Sequence, residues 1–343
     1  MMRRAYVPPV SIPKRLGPYE VGPQIGGGGM AVIYLGRRDD AEGVERLFAL
    51  KVIKHELVND RRYVDMFLDE ANILTRLSHP NIVETLEYGL SGTHRYIAME
   101  LLLGRSLSEL WEANEERGQV MPAELGAWIC ARVADALHYA HELKNEKGEP
   151  FSLIHRDVNP TNIFLTFDGR VKLIDFGLAK TTGRKVESAQ GIVKGKVPYL
   201  SPEQVTEKPL DRRSDIFTLG ATLWEMTTGK RLFKRANDVD TIRAIMKGVI
   251  PDPGGIVPNY PPALTAILMK ALQTDREHRY SVAGDLARDL DAFLEARGAV
   301  DMPSRAAPFI FDVFPDDQKL HAKLTQEATA RWLARGLTKR REW

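Results

Sequence analysis

The sequence predicts an α+β fold in two parts, a small, mainly antiparallel β part with one key helix and a larger, mainly helical part. Three observations predict it. Residues 16–36, 46–54 and 82–103 read as strands, with a single strongly periodic helical stretch among them at 61–77. From about residue 105 the pattern turns helical, with Leu125, Ile129, Val133, Leu137 and Ala140 on one face of 124–142. The stretch 213–228 is apolar nearly all round, the mark of a helix inside a core. With 343 residues, 43% of them hydrophobic, the chain is long enough for one two-part domain plus extensions.

Composition narrows the function classes. The net charge of +2 gives no argument for nucleic acid, and no such partner is expected. The lone Cys130 excludes an intrachain disulfide and a cysteine zinc site, and its apolar neighbours make it a core thiol. Residues 1–18, with Pro8, Pro9 and Pro13, read as an extended arm without the apolar run of a secretory signal. No stretch approaches the ~20 apolar residues of a membrane span.

The small part carries the first chemical signals. Gly26, Gly27, Gly28 and Gly29 lie between two strands, where glycines either let backbone N–H groups approach an anion or simply make a flexible hairpin turn. A Rossmann or Walker loop would lead into a helix, so the following strand Val32-Ile33-Tyr34 excludes both. Lys51 sits inside the next strand. On the helix at 61–77, Val64, Phe67, Leu68, Ala71 and Leu74 form the apolar stripe. Glu70 borders that stripe and Asp69 lies further round. In the larger part, residues 153–177 hold Asp157, Asn162 and Asp175 in a strand-loop-strand pattern. Asp215 heads into the buried helix at 213–228 and needs donors there. His138 and His141 end the helix at 124–142 and read as capping or surface residues, since no third metal ligand is spaced for them.

Taken in order, these parts resemble the eukaryotic-type (Hanks-type) serine/threonine protein kinases of bacteria, myxobacterial members especially. Gly26-x-Gly28-x-x-Ala31-x-Ile33 is similar to the glycine loop, with Ala31 replacing its third glycine. Phe48-Ala49-Leu50-Lys51 resembles V-A-I-K, and His155-Arg156-Asp157 followed by Asn162 resembles the catalytic loop. Asp175-Phe176-Gly177 resembles D-F-G, and Ser201-Pro202-Glu203 resembles A-P-E. The resemblance covers about residues 19–297. It implies the two-lobed protein kinase fold, with a small lobe at 19–103, a large lobe at 104–297 and a partly helical extension at 298–343. In that extension Pro303 and Pro308 break the chain ahead of a helix at 316–337.

The resemblance also implies an activity, transfer of the ATP γ-phosphoryl group to serine or threonine hydroxyls of protein substrates and of the kinase itself. A nucleotide-binding pseudokinase scaffold is the alternative. Asp157 would be the catalytic base, and Lys51, paired with Glu70, would hold the α/β-phosphates. Asn162 and Asp175 would hold Mg²⁺ or Mn²⁺. Ile25, Gly26–Gly29, Ile33, Ala49 and Met99 would surround the nucleotide. Backbone groups of Glu100 and Leu102 would meet the adenine, with Phe164 beneath it. Asp215 would accept N–H groups of the catalytic loop, and Arg279 would pair with Glu203.

Two departures stand out. Asn159 occupies the place of a lysine that touches the γ-phosphate, and Lys196 the place of a threonine that faces it. The expectation is that Lys196 returns the missing positive charge, against the alternative of an exposed Lys196. Arg156 is expected to meet a phosphorylated activation segment, with Ser188 the preferred site among Thr181, Thr182, Ser188 and Tyr199. The expected location is the cytoplasm, or the cytoplasmic part of a longer membrane protein. Homodimerisation is left open.

Overall fold

The computed structural model describes residues 12–39, 45–176, 197–317 and 319. These form two compact units. One comprises the described residues up to Ser78 with Glu84–Leu102; the other comprises His79–Val83 and the described residues from Leu103 onward.

The smaller unit is built on β1 (Arg15–Leu16), β2 (Tyr19–Gly27), β3 (Ala31–Asp39), β4 (Glu45–Ile53), β5 (Thr85–Ser91) and β6 (His94–Glu100). They form one antiparallel sheet in the order β1-β2-β3-β4-β6-β5. The pleat sorts its side chains. Phe48, Leu50, Val52, Tyr96 and Ala98 face one way and close a core with Leu16 and Tyr19. Tyr19 meets the Phe48 ring edge-on at 5.1 Å. The alternate positions, Ala49, Lys51, Ile97 and Met99, share the opposite face. The helix α1 (Arg61–Leu74) starts at Asp60, whose carboxylate caps the Arg62 N–H. It buries Val64, Phe67, Ala71 and Leu74, four of the five residues of the expected stripe.

The larger unit holds β7 (Gly104–Ser106), β8 (Ile163–Thr166) and β9 (Val171–Leu173) in a three-stranded sheet, with α2 (Leu107–Glu116) and α3 (Ala123–His141). Then follow α4 (Pro202–Val205), α5 (Arg213–Thr228), α6 (Asp238–Lys247), α7 (Pro262–Ala271), α8 (Ala283–Ala296) and α9 (Met302–Val313). Helix α5 is buried from Ser214 to Thr228. Its threonines enter the core because Thr218, Thr222, Thr227 and Thr228 turn their hydroxyls back onto carbonyls three or four residues earlier. Cys130 is buried in α3, as expected.

Two segments differ from expectation. His79–Val83 cluster with the larger unit because β9 takes their backbone groups: Val83 N–H donates to Leu173 O at 3.0 Å, and Leu173 N–H to Asn81 O at 2.8 Å. Pro303 and Pro308 do not break the extension. Both lie in α9, Pro303 in the first turn where its missing N–H costs nothing, while Met302, Ala306, Ile310 and Val313 are buried. Residues 318 and 320–343, most of the expected helix at 316–337, lie outside the described residues. No described helix is long and apolar enough to cross a membrane.

Candidate active site

In the smaller unit the site begins with Lys51. Strand pairing puts Gly26 opposite Ile33 and Ile33 opposite Lys51, with Ala49 opposite Met99. The Lys51 ammonium donates to Glu70 Oε1 at 2.7 Å, with the side chains 9% and 5% exposed. Asp69 is exposed, so the turn of α1 selects Glu70. A buried ion pair is weak evidence of a stabilising device, since desolvating the two charges offsets most of their attraction. What the pair supplies is an ammonium held at one point of the sheet.

The hairpin that ends β2 closes with Gly28 N–H on Ala31 O at 2.8 Å. A Cβ at Gly28 or Gly29 would meet no atom within 4 Å, and neither has a positive φ. The chain's own packing therefore gives no reason for glycine at either position. Ile25 beside them is 43% exposed. At the end of β6, Glu100 N–H is spent on Glu84 O and the Glu100 carboxylate accepts from Glu84 N–H. Leu102 is half-buried.

In the larger unit the centre is the loop at 153–162. Asp215, at the start of α5, is 1% exposed and accepts three donors. The N–H groups of His155 and Arg156 each reach its carboxylate at 2.8 Å, and His141 Nε2 lies 2.8 Å from Oδ2. Burial alone would raise this carboxyl. The His141 bond, the nearby His155 and the backbone donor outweigh it and hold the group below the usual carboxylate range. His141 is thus no surface or capping residue: it is 2% exposed and committed to Asp215. His138, one turn earlier, is half-buried, and its ring lies where a Cβ on Gly284 of α8 would fall.

Asp157 is held by Asn162, whose amide donates to Asp157 O at 2.8 Å and Oδ2 at 3.1 Å. Asn162 is buried, and its own carbonyl accepts from Ile174 N–H at 2.9 Å, tying the loop to the residue before Asp175. Arg156 and Asp175 have φ of 65° and 53°, left-handed positions that cost a non-glycine residue energy and recur at functional sites. His155 is fully buried against Phe176, ring centroids 4.5 Å apart, and burial pushes its pKa down. Phe164, half-buried in β8, pairs with Ser106 and Lys172.

Asn159 does not stand out from the loop as a lysine there would. It is 2% exposed; its amide donates to Asp157 O at 2.8 Å and its oxygen accepts from Thr161 N–H at 2.9 Å, capping the turn Pro160–Asn162. Gly177, Lys180, Thr181, Thr182, Ser188, Gly195 and Lys196 lie outside the described residues.

Glu203 and Arg279 form a buried two-pronged pair at 2.7 and 2.9 Å, with Ser214 on the same carboxylate. Tyr199, counted among the hydroxyls open to phosphorylation, is engaged. Its OH donates to Glu225 at 2.6 Å and accepts from Arg231 at 2.6 Å, and burial with the Glu225 charge raises its pKa. Arg231 in turn lies over the Trp111 ring at 3.6 Å. Nothing in the spacing of Trp111, Tyr199, Glu225 and Arg231 signals this network, because its members come from four separated elements.

The donor set suits Mg²⁺. Asn162 commits its NH₂ to Asp157, no described donor reaches its Oδ1, and Asp175 adds a carboxylate on a backbone fixed in the left-handed region. One carboxylate and one amide oxygen are what a cation that keeps waters and takes phosphate oxygens needs. Among the described residues no group of three or more His, Cys, Asp and Glu side chains could hold a metal, which excludes an all-protein cage there.

Comparison with known proteins gives the family. The family model described as "Protein kinase domain" matches residues 19–289. A protein of Myxococcus xanthus named tyrosine-protein kinase MasK is 40% identical over 278 residues, covering 81% of this chain and 43% of that protein. The serine/threonine-protein kinase PrkC of Bacillus subtilis is 32% identical over 288 residues, 83% of this chain and 42% of that protein. The chain therefore spans less than half the length of these relatives. Among solved structures, the kinase domain of Mycobacterium tuberculosis PknI superposes with a TM-score of 0.59 at 26% identity, covering 82% of this chain and 96% of that one.

Proposed function

Since the chain belongs to the protein kinase domain family, we propose that it transfers the γ-phosphoryl group of ATP to serine or threonine hydroxyls of proteins, itself included. The observation that carries this reading is the hold on Asp157: its carboxylate lies 3.1 Å from the Asn162 amide, on a loop whose backbone N–H groups end on buried Asp215. A scaffold that only binds nucleotide has no use for a carboxylate fixed in this way.

Phosphoryl transfer passes through a loose transition state, so the protein's work is positioning and electrostatics. Lys51 and the N–H groups of the glycine hairpin hold the phosphates. Asp157 accepts the proton of the attacking hydroxyl and orients its oxygen. Asn162 and Asp175 hold the divalent cation, which when bound neutralises charge on the phosphate oxygens. With Asn159 turned into its own loop, that position offers no cation. Lys196 is the proposed replacement, and loss of one such charge costs on the order of 3 kcal/mol in the transition state.

One observation favours tyrosine as the acceptor instead. Asn159 removes the lysine usual in serine/threonine members, and the 40% identical relative is named a tyrosine-protein kinase. Labelled ATP transfer to self and to a generic protein, with phospho-amino-acid analysis, separates the two. Phosphoserine and phosphothreonine are expected, and phosphotyrosine alone would overturn the acceptor class. Asp157→Ala and Lys51→Met should each lose about 10³-fold or more in rate, and normal incorporation by either would sink the assignment. Lys196→Ala should fall far below Lys196→Arg; equal rates remove the role given to Lys196.

A further inference from the structure

The family model ends at residue 289, yet the chain continues into a helix that packs on β8 and on the turn that follows it. The contacts of α9 and the turn after it fall on three points. At the turn between β8 and β9, Gly169 has φ 79°, and a Cβ there would lie 2.4 Å from Pro303 O, so the hairpin and the start of α9 approach as closely as glycine permits. Just before it, Phe167 stacks on Phe311, centroids 5.6 Å apart and planes 13° from parallel. On β7, Arg105 donates through Nε to Asp317 at 2.7 Å and lies 5.3 Å over the Phe314 ring.

Two of these contacts are relayed inward. Arg105 also holds Glu109 at 2.6 Å, and Glu109 accepts both the N–H and the hydroxyl of Ser106 at 2.8 Å. Ser106 is the strand partner of Phe164. Phe167 N–H donates to Leu103 O at 2.8 Å, the residue that follows Leu102. Two lines of contact, Asp317–Arg105–Glu109–Ser106 and Phe311–Phe167–Leu103, thus end on the stretch from Leu103 to Ser106 and on its partner strand.

We infer that residues 302–317 are a C-terminal brace in which Asp317 and Phe311 act as positioning residues for nucleotide binding, fixing the strand after Leu102 and the strand of Phe164. This rests on the proposed kinase activity and on the expectation, from the family resemblance, that Phe164 lies beneath the adenine. The contacts of the brace fall on β7, on Phe167 and on the turn between β8 and β9, so it should act on affinity and not on the chemical step.

The test uses the full chain, with ATP-Mg²⁺ titrated both in turnover and by calorimetry. Asp317→Ala and Phe311→Ala should raise KM and Kd for ATP by about three- to tenfold while kcat stays within about twofold. Asp317→Glu, which keeps the carboxylate, should remain near wild type. Asp312→Ala is the control. It removes the 2.6 Å pair between the extension and Arg117 at the far end of α2, and should leave ATP binding unchanged. If Phe311→Ala does not fold, the Asp317 series still decides. Unchanged ATP affinity in Asp317→Ala, with or without a lower melting temperature, reduces the brace to a structural element and overturns the inference. A wild-type chain that binds no ATP overturns the proposed function itself, and the inference with it.

Discussion

Asp215 shows how one buried carboxylate shapes the loop at 153–162. Its three donors are two backbone N–H groups and an imidazole from α3, so the loop's backbone is set from beneath, while the Asn162 amide meets the Asp157 carboxylate. His155 beside it gives a pH signature. Its folded pKa lies below the ordinary value of 6.5 because burial disfavours the imidazolium. Above 6.5 both folded and unfolded chains keep this group neutral. Below that value the unfolded chain takes up a proton that the folded chain refuses, so stability is lost as pH falls toward the folded pKa. Melting curves should drop from about pH 7 to about pH 5.5, and His155→Phe should flatten that limb without abolishing it, since burial also lowers the pKa of His79. An unchanged slope in His155→Phe would remove His155 as a cause. The pairing of Lys51 with Glu70 was legible in the sequence, from the helix stripe and the family resemblance, and Asp157, Asn162 and Asp175 were singled out there by the motifs that carry that resemblance. The partnership of His141 was not, because its carboxylate is 74 residues away and on another helix.

Among the elements, the glycine hairpin and β7 make opposite demands on glycine. Gly28 and Gly29 face open space. Gly28→Ala should therefore leave stability within about 0.5 kcal/mol yet weaken ATP binding, if the phosphates come close to that backbone. Gly104 in β7 is different: a Cβ there would fall 2.2 Å from Leu165 O and force β7 away from β8. Gly104→Ala should cost about 2 kcal/mol or more, read as a shift in the denaturant midpoint. Equal stability effects at the two positions would contradict the packing described for both. Strands β2 to β6, the buried α5 and the stripe of α1 were legible in the sequence, while the short β7 stands where a helical pattern was expected to begin. Helix α9 was misread because proline is a breaker only where an N–H is needed and packing does not compensate. Pro303 sits in the first turn, and buried Ala306 and Ile310 hold the rest.

For the molecule as a whole, each unit holds its own part of the proposed chemistry: an anchored ammonium and open glycines in one, a fixed carboxylate and the proposed metal ligands in the other. Ligand linkage makes this testable. ATP-Mg²⁺ at about 100 times Kd should stabilise the chain by about 2.7 kcal/mol. That gain should shrink sharply in Lys51→Met, from one unit, and in Asp175→Asn, from the other. A full thermal shift in both variants would mean that the nucleotide binds elsewhere. The sequence by itself determined the fold class, the order of the motifs and the residue types for phosphoryl transfer, because these are encoded in local spacing. Tertiary structure alone decided that His141 ends on Asp215, that Asn159 caps its own loop, that Tyr199 is held by Glu225 and Arg231, and that residues 302–317 clasp β7 and β8. The reason is physical: those choices depend on which side chains lose water together when distant segments pack, and no local pattern records that.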